Sequence, residues 1–408
     1  MILKHNISFR YYIAARLFIM LALHIQMTIV GLQLYYEYDR SAYALGLLGL
    51  FEAAPFIVLS LVSGYVSDLY NRKTIWMLSI FGFFLASVFL YANANKLIVI
   101  ANLQGKEVLY AVTFFLGILR AFTAAAVPPL LSQIVERKYI AKASTWSATS
   151  WYIGGIAGPA IGAYIYGTTG ASFSYQLNCA CFLIGLVLIG CIKTSPQTKA
   201  DAREAIFTSI AQGVKFVLSN KIILGAMSLD MLGVLFGDAI ALLPVFSDKV
   251  LHLAPEFYGY LRMAPTIGAL LTSLVLAKYT PLHNTGNKLL ICMACFGVLN
   301  ILMGLSTTYY TTFIVLFVSG MADNVSVVIR HCIMQLMTPD SMRGRVSAIN
   351  SIFIGSSNEI GAYECGLVAR AIGLVPAIVF GGSVTVLVAI VIAILVPTLR
   401  KFELKNYQ

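Results

Sequence analysis

The feature that most limits what this chain can fold into is a series of long apolar runs. About twelve runs of bilayer-spanning length, roughly 20 residues each, follow one another along the chain. Of the 408 residues, 59% are hydrophobic and 11% are charged, far fewer charges than a soluble domain carries. In hydrocarbon every backbone group must bond internally, so continuous runs of this length predict helices. The expected spans are 11–35, 42–66, 74–93, 107–133, 145–167, 172–192, 222–246, 257–279, 288–306, 309–336, 346–370 and 374–397.

The net charge of +11 is distributed as in a membrane protein of fixed orientation. If both termini are cytoplasmic, most lysines and arginines outside the spans lie on the cytoplasmic side. Those on the opposite side are Arg40, Lys96, Lys106, Lys249 and Arg370. This asymmetry is the positive-inside rule. Topology therefore explains the basic charge, and we expect the lipid bilayer, not nucleic acid, to be its partner.

Sequence motifs of enzymes and metal sites are missing. The seven cysteines lie in or beside apolar runs, without the spacing of a metal site or a disulfide framework. No phosphate-binding G-x-x-x-x-G-K-[ST], nucleophilic G-x-S-x-G or zinc-binding H-E-x-x-H occurs. We expect no enzymatic activity, no metal and no cofactor. The first apolar run lacks a small-residue cleavage site, so we interpret it as a retained membrane helix.

Two halves of the chain resemble each other. IGAYIYG from Ile161 aligns with IGAYECG from Ile360, and Gly117 with Arg120 aligns with Gly320 and Asp323. A third match aligns Gly49, Glu52, Ala54 and Pro55 with Gly259, Arg262, Ala264 and Pro265. Ordered matches of this kind predict two six-helix pseudo-repeats, with a substrate site near the midplane. The predicted domains are an N-terminal bundle at 1–193, a cytoplasmic linker with an amphipathic helix at 194–221, and a C-terminal bundle at 222–408.

The turn GYVSDLYNRK joins the second and third spans. Gly64, Asp68, Arg72 and Lys73 match the loop G-x-x-x-D-R-x-G-R-K of major facilitator superfamily transporters, which this chain resembles. Asn71 stands where that pattern has glycine, and asparagine tolerates the left-handed backbone that glycine would supply. The resemblance implies a twelve-helix major facilitator fold in which this loop belongs to the gate. An ordinary positive-inside loop is the alternative.

The fifth span reads YIGGIAGPAIGAYIYG. Small residues four apart permit close helix contact, and proline opens the backbone bond ladder so that the helix can bend. Gly154, Gly158, Pro159 and Gly162 match the G-x-x-x-G-P-x-x-G motif of the superfamily's antiporters, a motif associated with exporters. We interpret it as a bendable gate, with a static packing seam as the alternative.

Ionisable side chains inside the spans are costly and usually face a protein interior or an aqueous path. Those of this chain are Arg16, Glu52, Arg120, Asp230, Asp238, Arg262, Asp323, Arg330, Glu359 and Glu364. Burial raises the pKa of a carboxyl group, as proton coupling requires. By resemblance to the superfamily, the candidates for the substrate and proton pathway are Arg16, His24, Gln26, Arg120, Asp230, Asp238, Asp323, Asn324 and Glu359. Asp230 and Asp323 are the preferred protonation sites, and Glu52 with Arg262 is a candidate switchable gating pair.

The segment from Thr338 to Gly366 adds a further resemblance. Arg343 and Arg345 anchor its cytoplasmic start and are assigned to the gate, while Asn350, Asn358, Glu359 and Glu364 enter the membrane. Together with SLDMLGVLFGDAIALLPVF and GYLRMAPTIGALL, this segment closely resembles the enterobactin exporter family, whose relatives include macrolide and multidrug exporters. The resemblance implies a monomeric, proton-coupled exporter of a siderophore or drug-like molecule in a bacterial inner membrane. An importer, a lipid flippase or a non-transporting receptor are the alternatives.

Overall fold

The computed structural model describes residues 6–97, 105–194, 206–279, 283–339 and 342–407, and over these ranges the chain is helical with no strand. Several helices begin after a side chain that caps their free N–H groups, as Asn6, Ser41, Asn71 and Asn220 do. The helices are α1 Ile7–Gln33, α2 Ala42–Leu69, α3 Arg72–Ala94, α4 Gly105–Leu130, α5 Ile140–Gly190, α6 Ile206–Ser219, α7 Lys221–Gly237, α8 Leu243–Lys249, α9 Pro255–Lys278, α10 Thr285–Leu305, α11 Tyr309–Met337, α12 Arg343–Ile372, α13 Leu374–Leu395 and α14 Pro397–Arg400.

Ten helical stretches of the described chain are long and apolar enough to cross a membrane. One of them, Lys142–Gly190, contains two helices that meet at Gly170, where φ is 81° and ψ is −177°. This left-handed backbone favours glycine, so Gly170 forms the joint between the fifth and sixth expected spans. The polar helix α12, with 30 residues, is absent from the ten.

The chain divides into two compact units. The N-terminal unit comprises Met1–Asp201 and His252–Met263, and the C-terminal unit comprises Ala202–Leu251 and Ala264–Gln408. The first part of the expected linker, 195–205, lies outside the described residues. The rest forms α6, whose Val217 is 2% exposed and packs with Val346 and Ile349 of α12.

The segment after α13 packs into the core of the C-terminal unit. Leu399, Phe402 and Leu404 are at most 4% exposed and belong to a cluster with residues of α7, α10 and α11. The backbone N–H of Gly286 donates to the carbonyl of Phe402 at 3.0 Å. This segment therefore covers the first turn of α10.

Candidate functional site

The turn between α2 and α3 is held by its own polar side chains. Asn71 has extended backbone, with φ −62° and ψ 117°, and its Oδ1 accepts from the N–H of Lys73 at 2.9 Å. The expected left-handed conformation at Asn71 is therefore wrong, because the side chain acts as an N-cap, which requires extended backbone. Arg72 and Asp68 form an ion pair at 3.0 Å, and no neighbouring atom lies within 4 Å of the Cβ position of Gly64.

Lys73 links this turn to the second segment of α5. Its Nζ donates to the carbonyl oxygens of Gly190 at 2.8 Å and Ile192 at 2.6 Å. These carbonyls lie at and just beyond the end of α5, where backbone acceptors lack partners within the helix. Lys73 thus caps a helix end and also compensates its partial negative charge.

The motif glycines of α5 face α1. A Cβ at Gly158 would lie 2.5 Å from the Cβ of His24, and a Cβ at Gly154 would lie 2.7 Å from that of Met20. Gly162 meets the backbone of α1 one turn farther on. The glycines therefore allow a close approach between two helices of one unit, as in a packing seam.

Pro159 lies on another face of α5. Its carbonyl oxygen is directly against Gly259, which also contacts Ala163. Gly259 lies in the second turn of α9, in the part of that helix that belongs to the N-terminal unit. A side chain at Gly259 would collide with the backbone of α5, so this glycine allows a close helix contact at Pro159.

The charged residues expected in the N-terminal unit include one ion pair. Nη1 of Arg120 lies 2.7 Å from Oε1 of Glu52, and its guanidinium group lies 5.2 Å from the ring centroid of Phe56. Glu52 is 7% exposed. The carboxyl group of the proposed Glu52–Arg262 gating pair therefore contacts Arg120 in this conformation.

His24 stands among cationic groups. Its imidazole lies within electrostatic range of the guanidinium groups of Arg262 and Arg120. Its ring meets the indole of Trp151 edge-on, with the centroids 6.0 Å apart. The same face of α1 carries Arg16 two turns earlier, where its Nε is buried and has no hydrogen-bond partner among the described residues.

Gln26 lies apart from this group. It is 1% exposed, and neither atom of its amide has a partner in the described chain. Its face of α1 packs against the second segment of α5, as the 2.8 Å bond from Tyr175 to Gln33 indicates. A buried amide of this kind is suited to hold an internal water.

The C-terminal unit contains a fully buried ion pair. Arg330 of α11 and Asp230 of α7 contact each other through Nη1 and Oδ1, and their side chains are 3% and 7% exposed. Asp230, one of the two preferred protonation sites, therefore has a cationic partner in this conformation. Arg330 was counted among the charges of the spans but was not assigned to the site.

Helix α7 breaks inside a candidate membrane span. It ends at Gly237, and a 3₁₀ turn at Ala239–Leu242 leads into α8. Asn300 donates to the carbonyl of Gly237 at 2.6 Å, and Oδ1 of Asp238 accepts from the N–H of Ile240 at 3.2 Å. Broken helices are tolerated at membrane depth when side chains satisfy the freed backbone groups, and they form the ion sites of many transporters.

Carboxyl groups from three helices lie near this break. Asp323 of α11 is close enough to Asp238 for their charges to repel. The thiol of Cys365 lies 3.7 Å from the carbonyl oxygen of Asp238 and interacts with the carboxyl group of Glu364 on α12. The partial negative charge at the end of α7 adds to this field, so the arrangement attracts protons or cations.

The remaining candidates lie on α11 and α12. Nδ2 of Asn324 donates to Oγ of Ser273 at 2.9 Å, next to Asp323 in sequence. Arg343 begins α12, and Glu359 is half-buried in its middle. Nη1 of Arg345 donates to Oε1 of Gln212 at 2.5 Å, which ties α6 to the start of α12.

Sequence reasoning missed Trp151 and Asn300. A tryptophan near a histidine on another helix leaves no pattern in the sequence. Asn300 offered a signal, since a polar amide inside the apolar run 288–306 requires a partner.

Comparison with known proteins gives one family and a consistent fold. The family model described as "Transmembrane secretion effector" matches residues 8–408. The enterobactin exporter EntS of Shigella boydii serotype 18 is 24% identical over 98% of this chain and 95% of its own length. EntS of Escherichia coli O1:K1 is 23% identical with the same coverage.

Solved transporters share the fold. An inward-facing, unoccupied bacterial homolog of the human lysosomal transporter Spinster aligns with a TM-score of 0.72 at 13% identity, covering 96% of both chains. A POT family transporter in complex with 5-aminolevulinic acid aligns with a TM-score of 0.76 at 11% identity, again over 96% of both chains. These two structures support the fold alone.

Proposed function

This chain belongs to the transmembrane secretion effector family, and we propose that it is a proton-coupled exporter of a siderophore or another small amphipathic molecule. It is a multi-pass membrane transport protein of the major facilitator superfamily, in the bacterial inner membrane. Its relatives are transporters, and they include enterobactin exporters. The alignment covers 98% of this chain and 95% of these relatives, which supports carrying the export role over to this chain.

The proposed topology has twelve spans with both termini in the cytoplasm. Two segments of α5, joined at Gly170, account for the fifth and sixth spans. Helix α12 rises about 45 Å over its 30 residues, enough to cross a bilayer despite its polar residues. Bundles at 1–193 and 222–408, connected by a linker at 194–221, remain the proposed domains.

The broken helix α7 is the observation that carries the coupling proposal. Asp238, Asp323 and Glu364 lie near the end of this helix, whereas Asp230 of the same unit is neutralised by Arg330. Carboxyl groups that repel each other in a low-dielectric site bind protons more readily. We assign Asp238 and Asp323 as the groups that exchange protons during alternating access, with Glu359 on the same proposed pathway.

The gating proposal keeps the motif residues but divides their roles. The contact of Gly158 with α1, which leaves no room for a Cβ, supports rigid movement of α1 with α5, while Pro159 supports a bend where α9 crosses. Asp68, Arg72 and Lys73 form contacts that require rearrangement if the turn moves. We infer that these contacts hold the state described here.

A transport assay with the purified chain tests the coupling. In proteoliposomes with an imposed pH gradient, we expect export that stops when an ionophore collapses the gradient. Asp238→Asn and Asp323→Asn should abolish gradient-driven flux, whereas Asp248→Asn, at the end of α8, should retain it. Equal flux with and without the gradient would overturn proton coupling.

The cargo is tested in cells. Mass spectrometry should compare the medium of iron-starved cells with and without the gene. A siderophore that accumulates inside the deletion strain supports siderophore export. Unchanged siderophore release with greater sensitivity to a drug panel would move the assignment to multidrug efflux, and no change in either would remove the export assignment.

A further inference from the structure

We propose that the N-terminal unit contains a subsite for the negatively charged group of an amphipathic organic anion, formed by Arg16, His24 and Arg262 beside Trp151. The inference rests on the proposed export function, because it names the chemical class of the molecule that is moved. It excludes organic cations, a common class of drug-like molecule.

Uncompensated charge is the first argument. The spans of the N-terminal unit carry the guanidinium groups of Arg16, Arg120 and Arg262, and Arg120 is paired with Glu52 at 2.7 Å. Neither Arg16 nor Arg262 forms an ion pair with any residue that the structure describes. A charge at membrane depth is retained only if it is paired or reaches water, and both side chains are only partly buried, so their charge is available to an anion from elsewhere.

Convergence of the cationic groups is the second argument. His24 lies within electrostatic range of both Arg262 and Arg120, which come from α9 and α4. Two helices therefore direct guanidinium groups toward His24 on a third helix. Since Glu52 already contacts Arg120, the free positive charge of this region is that of Arg262, with the imidazole N–H of His24 as a further donor.

The register between α1 and α5 adds Arg16 to the same region. The hydroxyl groups of Tyr12 and Ser147 form a hydrogen bond, and the motif glycines contact residues farther along α1, so the two helices run parallel. Four residues beyond that bond on each helix, Arg16 stands level with Trp151. The indole of Trp151 also contacts the ring of His24, which lies two turns of α1 beyond Arg16. The indole therefore lies between the guanidinium group and the imidazole.

The residue types specify the ligand. A guanidinium group binds a carboxylate or phenolate with parallel, charge-assisted hydrogen bonds, and the buried Nε of Arg16 has no other partner in the described chain. Trp151 is 46% exposed, so part of its indole is available to an apolar ring. An ammonium ligand at the same place would meet two uncompensated cations. An acidic group attached to an apolar body satisfies every part of this arrangement.

Two sources can supply such a group: a soluble organic anion, which is the cargo, or the head group of an anionic lipid. Both present an acidic oxygen next to apolar carbon. The experiment below separates them by the lipid composition around the protein.

Binding of a charge series to the full chain tests the inference. The protein is placed in phosphatidylcholine nanodiscs and titrated by calorimetry with 2-naphthoate, 2-naphthamide and 2-naphthylmethylammonium, which differ mainly in charge. We expect naphthoate to bind at least about tenfold more tightly than the amide, the ratio that one charge-assisted bond provides. Equal binding of all three, or tightest binding of the ammonium, would overturn the inference with no variant needed.

Variants then show which residues cause the preference for naphthoate over naphthamide. Arg16→Gln with Arg262→Gln should reduce the naphthoate-to-amide ratio to about one, whereas Arg370→Gln, at the end of α12, should leave it unchanged. A ratio retained in the double variant would also overturn the subsite. In nanodiscs containing phosphatidylglycerol, weaker naphthoate binding would assign the site to a lipid head group, and unchanged binding would assign it to the cargo.

Failure of the export function has a different signature. Calorimetry measures binding without a pH gradient, and its result does not depend on the direction of transport. Anion-selective binding without gradient-driven flux would overturn the coupling proposal and support the subsite. Gradient-driven flux without a charge preference in binding would support coupling and overturn the subsite.

Discussion

Replacing Asp230 by leucine is expected to destabilise the C-terminal unit more than replacing Asp230 and Arg330 together. The single change leaves a guanidinium group that is 3% exposed, has lost its carboxylate and cannot lose its proton. Arg330→Leu leaves a carboxylate instead, which can bind a proton and so relieve part of the cost. Leucine at both positions leaves two apolar side chains facing each other. The expected order of stability is wild type and double variant highest, then Arg330→Leu, then Asp230→Leu.

The magnitude follows from the burial of both partners. Removing one member of a buried ion pair costs about 3–5 kcal/mol, while replacing the whole pair by apolar residues is often neutral. For a unit of roughly 200 residues, a loss of this size lowers the midpoint of thermal unfolding by on the order of 10 °C. The double variant should lie within about 3 °C of the wild type by the same scaling.

Differential scanning fluorimetry of the purified chain in detergent measures all four proteins under one condition. Glu359→Gln, on α12, provides a matched control for loss of an intramembrane carboxylate. If the double variant unfolds as early as Asp230→Leu, the two side chains are not energetically coupled and the reasoning fails. Export by a stable double variant would also exclude the sequence-based expectation that Asp230 exchanges protons, whereas a stable but inactive one would support it.

Three further changes probe contacts described above. Gly158→Ala should sharply reduce export, because its Cβ would lie 2.5 Å from an atom of α1, whereas Gly190→Ala, with no atom within 4 Å, should be tolerated; equal flux for both would contradict the packing role. Asn300→Leu should lower stability by about 1–3 kcal/mol, measured by fluorimetry, because it leaves the carbonyl of Gly237 unpaired at membrane depth; an unchanged midpoint would show that this bond is dispensable. Lys73→Gln should lower stability by less than about 1 kcal/mol, since its contact is partly exposed, but should increase hydrogen exchange at the end of α5; unaltered exchange would refute the capping role.

The class of the protein was predictable because a membrane imposes one rule on every residue of a span. Apolar length alone predicted an all-helical membrane protein, and the helical structure and family match confirm that class. Twelve spans stay a prediction, for a physical reason visible in α12. Its Asn350, Glu359 and Glu364 lower the apolarity that identifies a span, yet they make it a candidate pathway helix.

Side-chain partners were less predictable, since they depend on which helices meet. Asp230 and Arg330 are 100 residues apart, and no local pattern indicates that α7 and α11 bring them together. The break in α7 had a local signal in Pro244, which stands in the first turn of α8, but the bond from Asn300 of α10 to the carbonyl of Gly237 had none. The fifth-span motif was recognised from spacing, but which of its residues face α1 required the structure.

The way Leu399, Phe402 and Leu404 fill the core of the C-terminal unit has a consequence for biosynthesis. Leu229 of α7 belongs to the same cluster, although a ribosome makes it about 170 residues earlier. At 5–20 residues per second, roughly 10–30 s pass between these two events. During that interval α7 and α10 are in the membrane with part of their final contact surface uncovered, so the nascent C-terminal unit is the stage at which a chaperone or a quality-control protease has access.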